Sequence, residues 1–112
     1  MKGTYLGELE ELVLLTVGIL YPEAYGVGVM DEIDKQACRQ LNISAVHSVL
    51  SRLEGKGLVT SKMSEPKQER GGRRKRIFLL TAAGKRALEE ANEMRTQLFN
   101  QIPKVALQFQ WV

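Results

Sequence analysis

The apolar positions between Glu8 and Tyr21 crowd a helical projection on nearly every side. Leu9, Leu12, Val13, Leu15, Val17, Ile19 and Leu20 leave little polar surface beyond Glu8, Glu10, Glu11 and Thr16. A helix of that kind belongs inside a fold rather than on its surface. Its early carboxylates suit the positive end of the helix dipole, and Pro22 ends it, because the residue before a proline is pushed out of helical geometry. A second helix is expected from Gly26 to Gln40, with Val29, Met30, Ile33 and Ala37 buried and Asp31, Glu32, Asp34, Lys35 and Arg39 facing solvent. Beyond Leu41 and Asn42, Ser44 is the expected N-cap of a third helix that reaches Glu54 and is closed by Gly55 and Gly57.

The third helix has two unlike faces. Val46, Val49, Leu50 and Leu53 recur at helical spacing, while Ser44, His47, Ser48, Ser51 and Arg52 form an opposite face without a carboxylate. Short hydroxyl side chains are poorer helix formers than Lys, Glu or Gln, so a merely solvated face would use the longer residues. Small donors and acceptors instead let a helix approach a groove closely. Leu58 to Ser64 and Lys75 to Leu80 have strand character and flank a turn-rich stretch containing Pro66, Gly71 and Gly72. Thr81 is the expected cap of a last helix ending near Ile102, before Pro103, a length of about 32 Å at the usual helical rise. Its apolar stripe of Ala87, Ala91, Met94, Leu98 and Ile102 outruns so small a core. Part of the stripe therefore needs another partner, most simply a second copy. In the tail, Val105, Leu107, Phe109 and Trp111 alternate with polar or small residues at strand period.

The whole chain has 112 residues, enough for one core and too few for a two-domain enzyme. Leu12 to Leu20 falls short of the roughly 18 apolar residues that span a bilayer, and no signal-peptide pattern opens the chain, so a cytoplasmic location is expected. A single Cys38 excludes an internal disulfide and a multi-thiolate metal site, and it reads as a quiet thiol on a packed helix. The formal net charge of +3 hides a segregation. Between residues 62 and 76, Lys62, Lys67, Arg70, Arg73, Arg74, Lys75 and Arg76 face only Glu65 and Glu69, a local charge of +5 on a body of −2. Such a block suits a nucleic-acid contact, with an anionic membrane surface or a solvated loop as rivals.

The order of three helices and a hairpin with a basic tip is that of a winged helix-turn-helix, in which the third helix enters the major groove and the wing follows the backbone. Lys62, Arg70, Arg73, Arg74 and Lys75 would then neutralise phosphates of double-stranded DNA, while Ser44, His47, Ser48, Ser51 and Arg52 fix register and read base edges. The stretch from Ala45 to Val59, followed by that from Arg70 to Leu88, resembles the PadR family of bacterial transcriptional regulators. The first part carries Val49 or Leu50, then Leu53, Glu54, Gly57 and Leu58 at the family's spacing, and the second carries Phe78, Leu80, Thr81, Gly84 and Leu88. The resemblance spans about residues 8 to 102 and is similar to the short-tailed branch with one C-terminal helix. It implies homodimers joined through the last and first helices, here Leu9, Leu12, Ala87, Ala91, Met94, Leu98 and Ile102. It also implies a two-fold symmetric operator and repression released by a small-molecule effector. Two departures stand out: His47 and Ser48 occupy the place of a Tyr-Pro pair in the recognition helix, and Tyr25, Gly26 and Val27 replace His-Gly-Tyr at the second helix.

The expected architecture is mainly α with a small β-hairpin: a winged helix-turn-helix over 1–80 and a dimerisation helix with tail over 81–112, together one compact unit. His47 is expected to face the groove as a neutral hydrogen-bonding group, since no Cys, His or acid beside it suggests a metal. Met94, Leu98, Phe109 and Trp111 have two readings, an aromatic effector pocket or dimer packing. Tyr5 likewise could reach a phosphate or staple the first helix. Glu54 lacks a second carboxylate or a nucleophile and reads as the structural partner of a basic group. Gly71 and Gly72 lack the lysine and hydroxyl of a phosphate loop and read as turn residues. No catalytic set, cofactor or metal is expected. A protein-interaction module on the same fold is the alternative, but it would present apolar or acidic residues on the third helix and would not need a basic wing.

Overall fold

Three helices, a hairpin and a long fourth helix follow one another in the computed structural model, which describes residues 5–65 and 75–108. Helix α1 spans Glu8–Ile19, α2 Gly26–Ala37 and α3 Ile43–Gly55; strands β1 Val59–Met63 and β2 Arg76–Leu80 precede α4, Ala82–Asn100. The core gathers Val13, Leu14 and Val17 of α1, Val29 and Ile33 of α2, and Val46, Val49, Leu50 and Leu53 of α3. Leu58, Val59 and Phe78 from the hairpin close it, together with Ala87 of α4. This is a mainly helical winged helix-turn-helix fold with an antiparallel two-stranded hairpin.

Several boundaries differ from the sequence expectation. α1 ends at Ile19, two residues before Tyr21, and the Tyr21–Pro22 peptide is cis. α2 ends at Ala37, not Gln40, because Cys38 turns into the left-handed conformation, with φ 51° and ψ 42°. Ala37 and Cys38 are consequently exposed rather than packed. Arg39, just beyond, bonds both Glu8 carboxylate oxygens at 2.7 and 2.8 Å and holds that carboxyl below the usual range. The N-cap of α3 is Asn42, whose Oδ1 accepts the Ala45 N–H at 2.8 Å, so Ser44 lies inside the first turn. The tail does not continue as a strand: Lys104–Leu107 form a 3₁₀ turn after Pro103. Phe109 and Trp111 lie outside the described residues.

The hairpin register pairs Val59 with Leu80, Ser61 with Phe78 and Lys62 with Ile77. The α1–α2 connection extends it, since the Phe78 N–H donates to the Ala24 carbonyl at 2.9 Å. The passage from α3 through β1 to α4 turns on three motif residues. Gly57 leaves α3 at φ +79°, a conformation costly for any side-chain-bearing residue, and Leu58 N–H then donates back to Leu53 at 2.9 Å. The Thr81 N–H donates to the Leu58 carbonyl at 3.1 Å, and its hydroxyl donates to the Gly57 carbonyl at 2.7 Å. That hydroxyl also accepts the Gly84 N–H at 3.0 Å, as an N-cap should. A Cβ at Gly84 would strike the Leu58 carbonyl oxygen, which is backbone and has no rotamer by which to yield. Gly84→Ala should therefore lower stability by about 1–3 kcal/mol. Thr81→Ala should cost about 1 kcal/mol. Both are read from urea unfolding, and a Gly84→Ala protein as stable as the wild type would contradict the steric argument.

Candidate nucleic-acid interface

α3 is fixed from beneath by its buried apolar face, and this turns Ser44, His47, Ser48, Ser51 and Arg52 outward together. All five are exposed, and so is Glu54, two helical turns past His47 on the same side of α3. The His47 ring leans back over the start of α2: a Cβ on Gly26 would lie 2.6 Å from its Cε1 and 2.9 Å from its Nε2. Arg52 is shared, because its Nε donates to Glu10 Oε2 at 3.4 Å while the side chain stays 56% exposed, free to reach outward. Glu10 is buried on α1 and accepts Lys56 Nζ at 2.9 Å on both oxygens and the Gly7 N–H at 2.9 Å. Burial pushes this carboxyl up, but the Gly7 N–H, Lys56 and Arg52 together outweigh it and hold the group below its ordinary value. Tyr5 is exposed, and its backbone carbonyl accepts Lys56 Nζ at 3.3 Å.

The wing is tied to this surface at its base. Arg76 donates to the Ser61 hydroxyl at 2.9 Å, which donates to Glu54 at 2.8 Å. The direct partner of Glu54 is thus a hydroxyl, with the expected basic group one step further away. Glu54 is thereby held by the wing at the end of α3. Lys75 places its ammonium 5.1 Å from the centre of the Tyr25 ring, within cation–π range. Its backbone N–H donates to Ser64 Oγ at 2.8 Å. Lys62 is exposed on β1 and borders an open hollow of about 400 Å³ with Glu23, Tyr25 and Ile77. Arg70, Arg73 and Arg74 lie outside the described residues. Among the described residues, no group of three His, Cys, Asp or Glu side chains could hold a metal, and no helix is long and apolar enough to cross a membrane.

Residues 9–90 match the transcriptional regulator PadR-like family. The chain belongs to this family. A PadR family transcription regulator from Clostridium difficile is 26% identical, covering 85% of this chain and 97% of its own, with a TM-score of 0.67. A PadR-like regulator from Bacillus cereus superposes with a TM-score of 0.69 at 19% identity over 91% and 93% of the two chains. Bacillus subtilis PadR in complex with operator DNA gives 0.60 at 17% identity, covering 94% of this chain and 50% of that one. Comparison with curated proteins gives no match.

In this PadR-like regulator α4 divides into two parts. Ala87 is buried in the protomer's own core and Ala91 is half-buried, whereas every described residue from Asn92 to Gln108 is exposed. Met94, Leu98 and Ile102 thus stand clear of the core, and Leu9 and Leu12 on α1 are partly buried against it. Arg95 reaches Glu11 of α1 at 2.6 Å, tying the two helices. Three contributors escaped the sequence reading: Gly26 as the seat of His47, Tyr25 as the partner of Lys75, and Glu10 as the anchor of α3. Only Glu10 left a usable signal, since it shares the stripe of Val13, Leu14 and Val17 on α1.

Glu10→Gln should destabilise the protein at pH 7 by about 1–3 kcal/mol, because Lys56 and Arg52 lose a charged acceptor. The folded carboxyl is held low, so its contribution is complete above the unfolded value of about 4.3 and disappears as pH falls through the folded value. Urea unfolding of both proteins from pH 7 down to pH 3 should show the gap closing with acid. A gap that persists would assign the loss to packing instead.

Proposed function

We propose that this PadR-like regulator is a sequence-specific DNA-binding repressor that acts as a homodimer on a two-fold symmetric operator. The observation that carries the reading is the outer face of α3, where Ser44, His47, Ser48, Ser51 and Arg52 are exposed together beside a hairpin bearing Lys62 and Lys75. In the proposed complex that face lies in the major groove. Lys62, Arg70, Arg73, Arg74 and Lys75 neutralise flanking phosphates. The DNA-bound Bacillus subtilis relative supports this reading by its shared fold.

Two copies join through the exposed half of α4, with Met94, Leu98 and Ile102 as the apolar seam and Ala87, Ala91, Leu9 and Leu12 at its protomer-facing edge. This pairing sets the two recognition helices about 34 Å apart, one turn of the duplex. Residues 1–80 thus supply the DNA-binding unit and 81–112 the dimerisation helix and tail. A small aromatic effector held near Met94, Leu98, Phe109 and Trp111 would alter that spacing and release the operator. The regulator works in the cytoplasm, where its DNA is, and carries out no catalytic step.

Arg74→Ala combined with Lys75→Ala should weaken binding to every duplex and reduce the slope of log affinity against log salt by about two. His47→Ala or Ser48→Ala should instead relax discrimination between sequences, by about 1–3 kcal/mol at the affected base pair. Fluorescence anisotropy at two salt concentrations separates these effects, and the reverse outcome would sink the assignment of wing and helix. In light scattering the wild-type protein should have the mass of two chains. Met94→Glu with Leu98→Glu should have the mass of one while keeping its helical circular dichroism; a monomeric wild type excludes the α4 seam.

A further inference from the structure

The three consecutive residues that lead into α2 each serve a different element. Ala24 extends β2 through its carbonyl, Tyr25 lies under the Lys75 ammonium, and Gly26 lies under the His47 imidazole. Gly26 opens α2 without the left-handed backbone that would require glycine, so the backbone alone would accept an alanine. The space for a methyl group is nevertheless taken: a Cβ there would meet His47 Cε1 at 2.6 Å, Nε2 at 2.9 Å and Nδ1 at 3.4 Å. Real Cβ atoms do not approach that closely, so something must move. The obstacle is the far end of an exposed side chain rather than backbone, so the ring is what would swing. Gly26 itself is buried and faces the ring, not the outer face of α3.

We propose that Gly26 is a positioning residue for base readout. It seats the His47 imidazole against a floor tied to the hairpin, and so fixes the direction in which the exposed edge of the ring meets the groove. Which base His47 discriminates is then set by the start of α2 as well as by α3. The inference rests on the reading of α3 as the recognition helix.

Its test uses the full chain, a duplex selected by the wild-type protein from a random-sequence pool, and an unselected duplex of the same length. Gly26→Ala should cut the preference for the selected duplex about tenfold, the scale of one good base contact. Affinity for the unselected duplex should stay within about twofold, because the phosphate contacts are untouched. In a protein already carrying His47→Ala, adding Gly26→Ala should change neither value. An unchanged preference, or a loss that persists in full without His47, overturns the inference while leaving the DNA-binding reading intact. A pool in which no sequence is enriched removes both. Independently of any variant, the wild-type protein bound to its selected duplex should show a nuclear Overhauser contact between His47 Hε1 and Gly26 Hα, and its absence counts against the seat.

Discussion

The Leu58 carbonyl is the point on which the layout of the molecule turns. It accepts the Thr81 N–H, lies against Gly84, the one residue of α4 without a side chain, and follows the left-handed Gly57 that ends α3. One backbone group thus joins the exit of α3, the two ends of the hairpin and the start of the last helix. Gly57 permits the turn, Thr81 supplies the hydrogen bonds and Gly84 permits the approach. In this chain the spacing of these residues serves a steric and hydrogen-bonding junction.

A second junction lies on the other side of α3. The buried Glu10 would be a liability without its partners, since a desolvated carboxylate must be compensated. Lys56 and the Gly7 N–H provide the compensation at 2.9 Å, and Arg52 adds a longer contact. Because Arg52 remains more than half exposed, the same cluster that anchors α3 leaves a guanidinium at the edge of the surface proposed to meet DNA. Anchoring and the proposed recognition therefore share a side chain.

The elements and the core were legible in the sequence because strong periodicity reports burial well: Val46, Val49, Leu50 and Leu53 are all buried, and the outward set on α3 is all exposed. Ends were less legible. Asn42 and Ser44 are both good caps, and only the geometry selects Asn42; Cys38 adopts a left-handed conformation that its residue type does not advertise. The 3₁₀ turn at Lys104–Leu107 arises where an alternating pattern has no sheet to join. Gly26 and Tyr25 were not legible as parts of the candidate interface, because their roles depend on His47 and Lys75 arriving from distant segments.

Glu10 and Glu11 are neighbours in the chain, yet one reaches α3 through Lys56 and Arg52 and the other reaches Arg95 on α4. Successive residues on a helix point about 100° apart, so this pair of carboxylates measures the angle at which the third and fourth helices stand around α1. Exchanging one apolar residue of α1 for another leaves that measurement alone. Inserting a residue between Glu11 and Val13, or deleting Leu12, would turn both carboxylates away from their partners at once. The length of this first turn is consequently under tighter constraint than its composition.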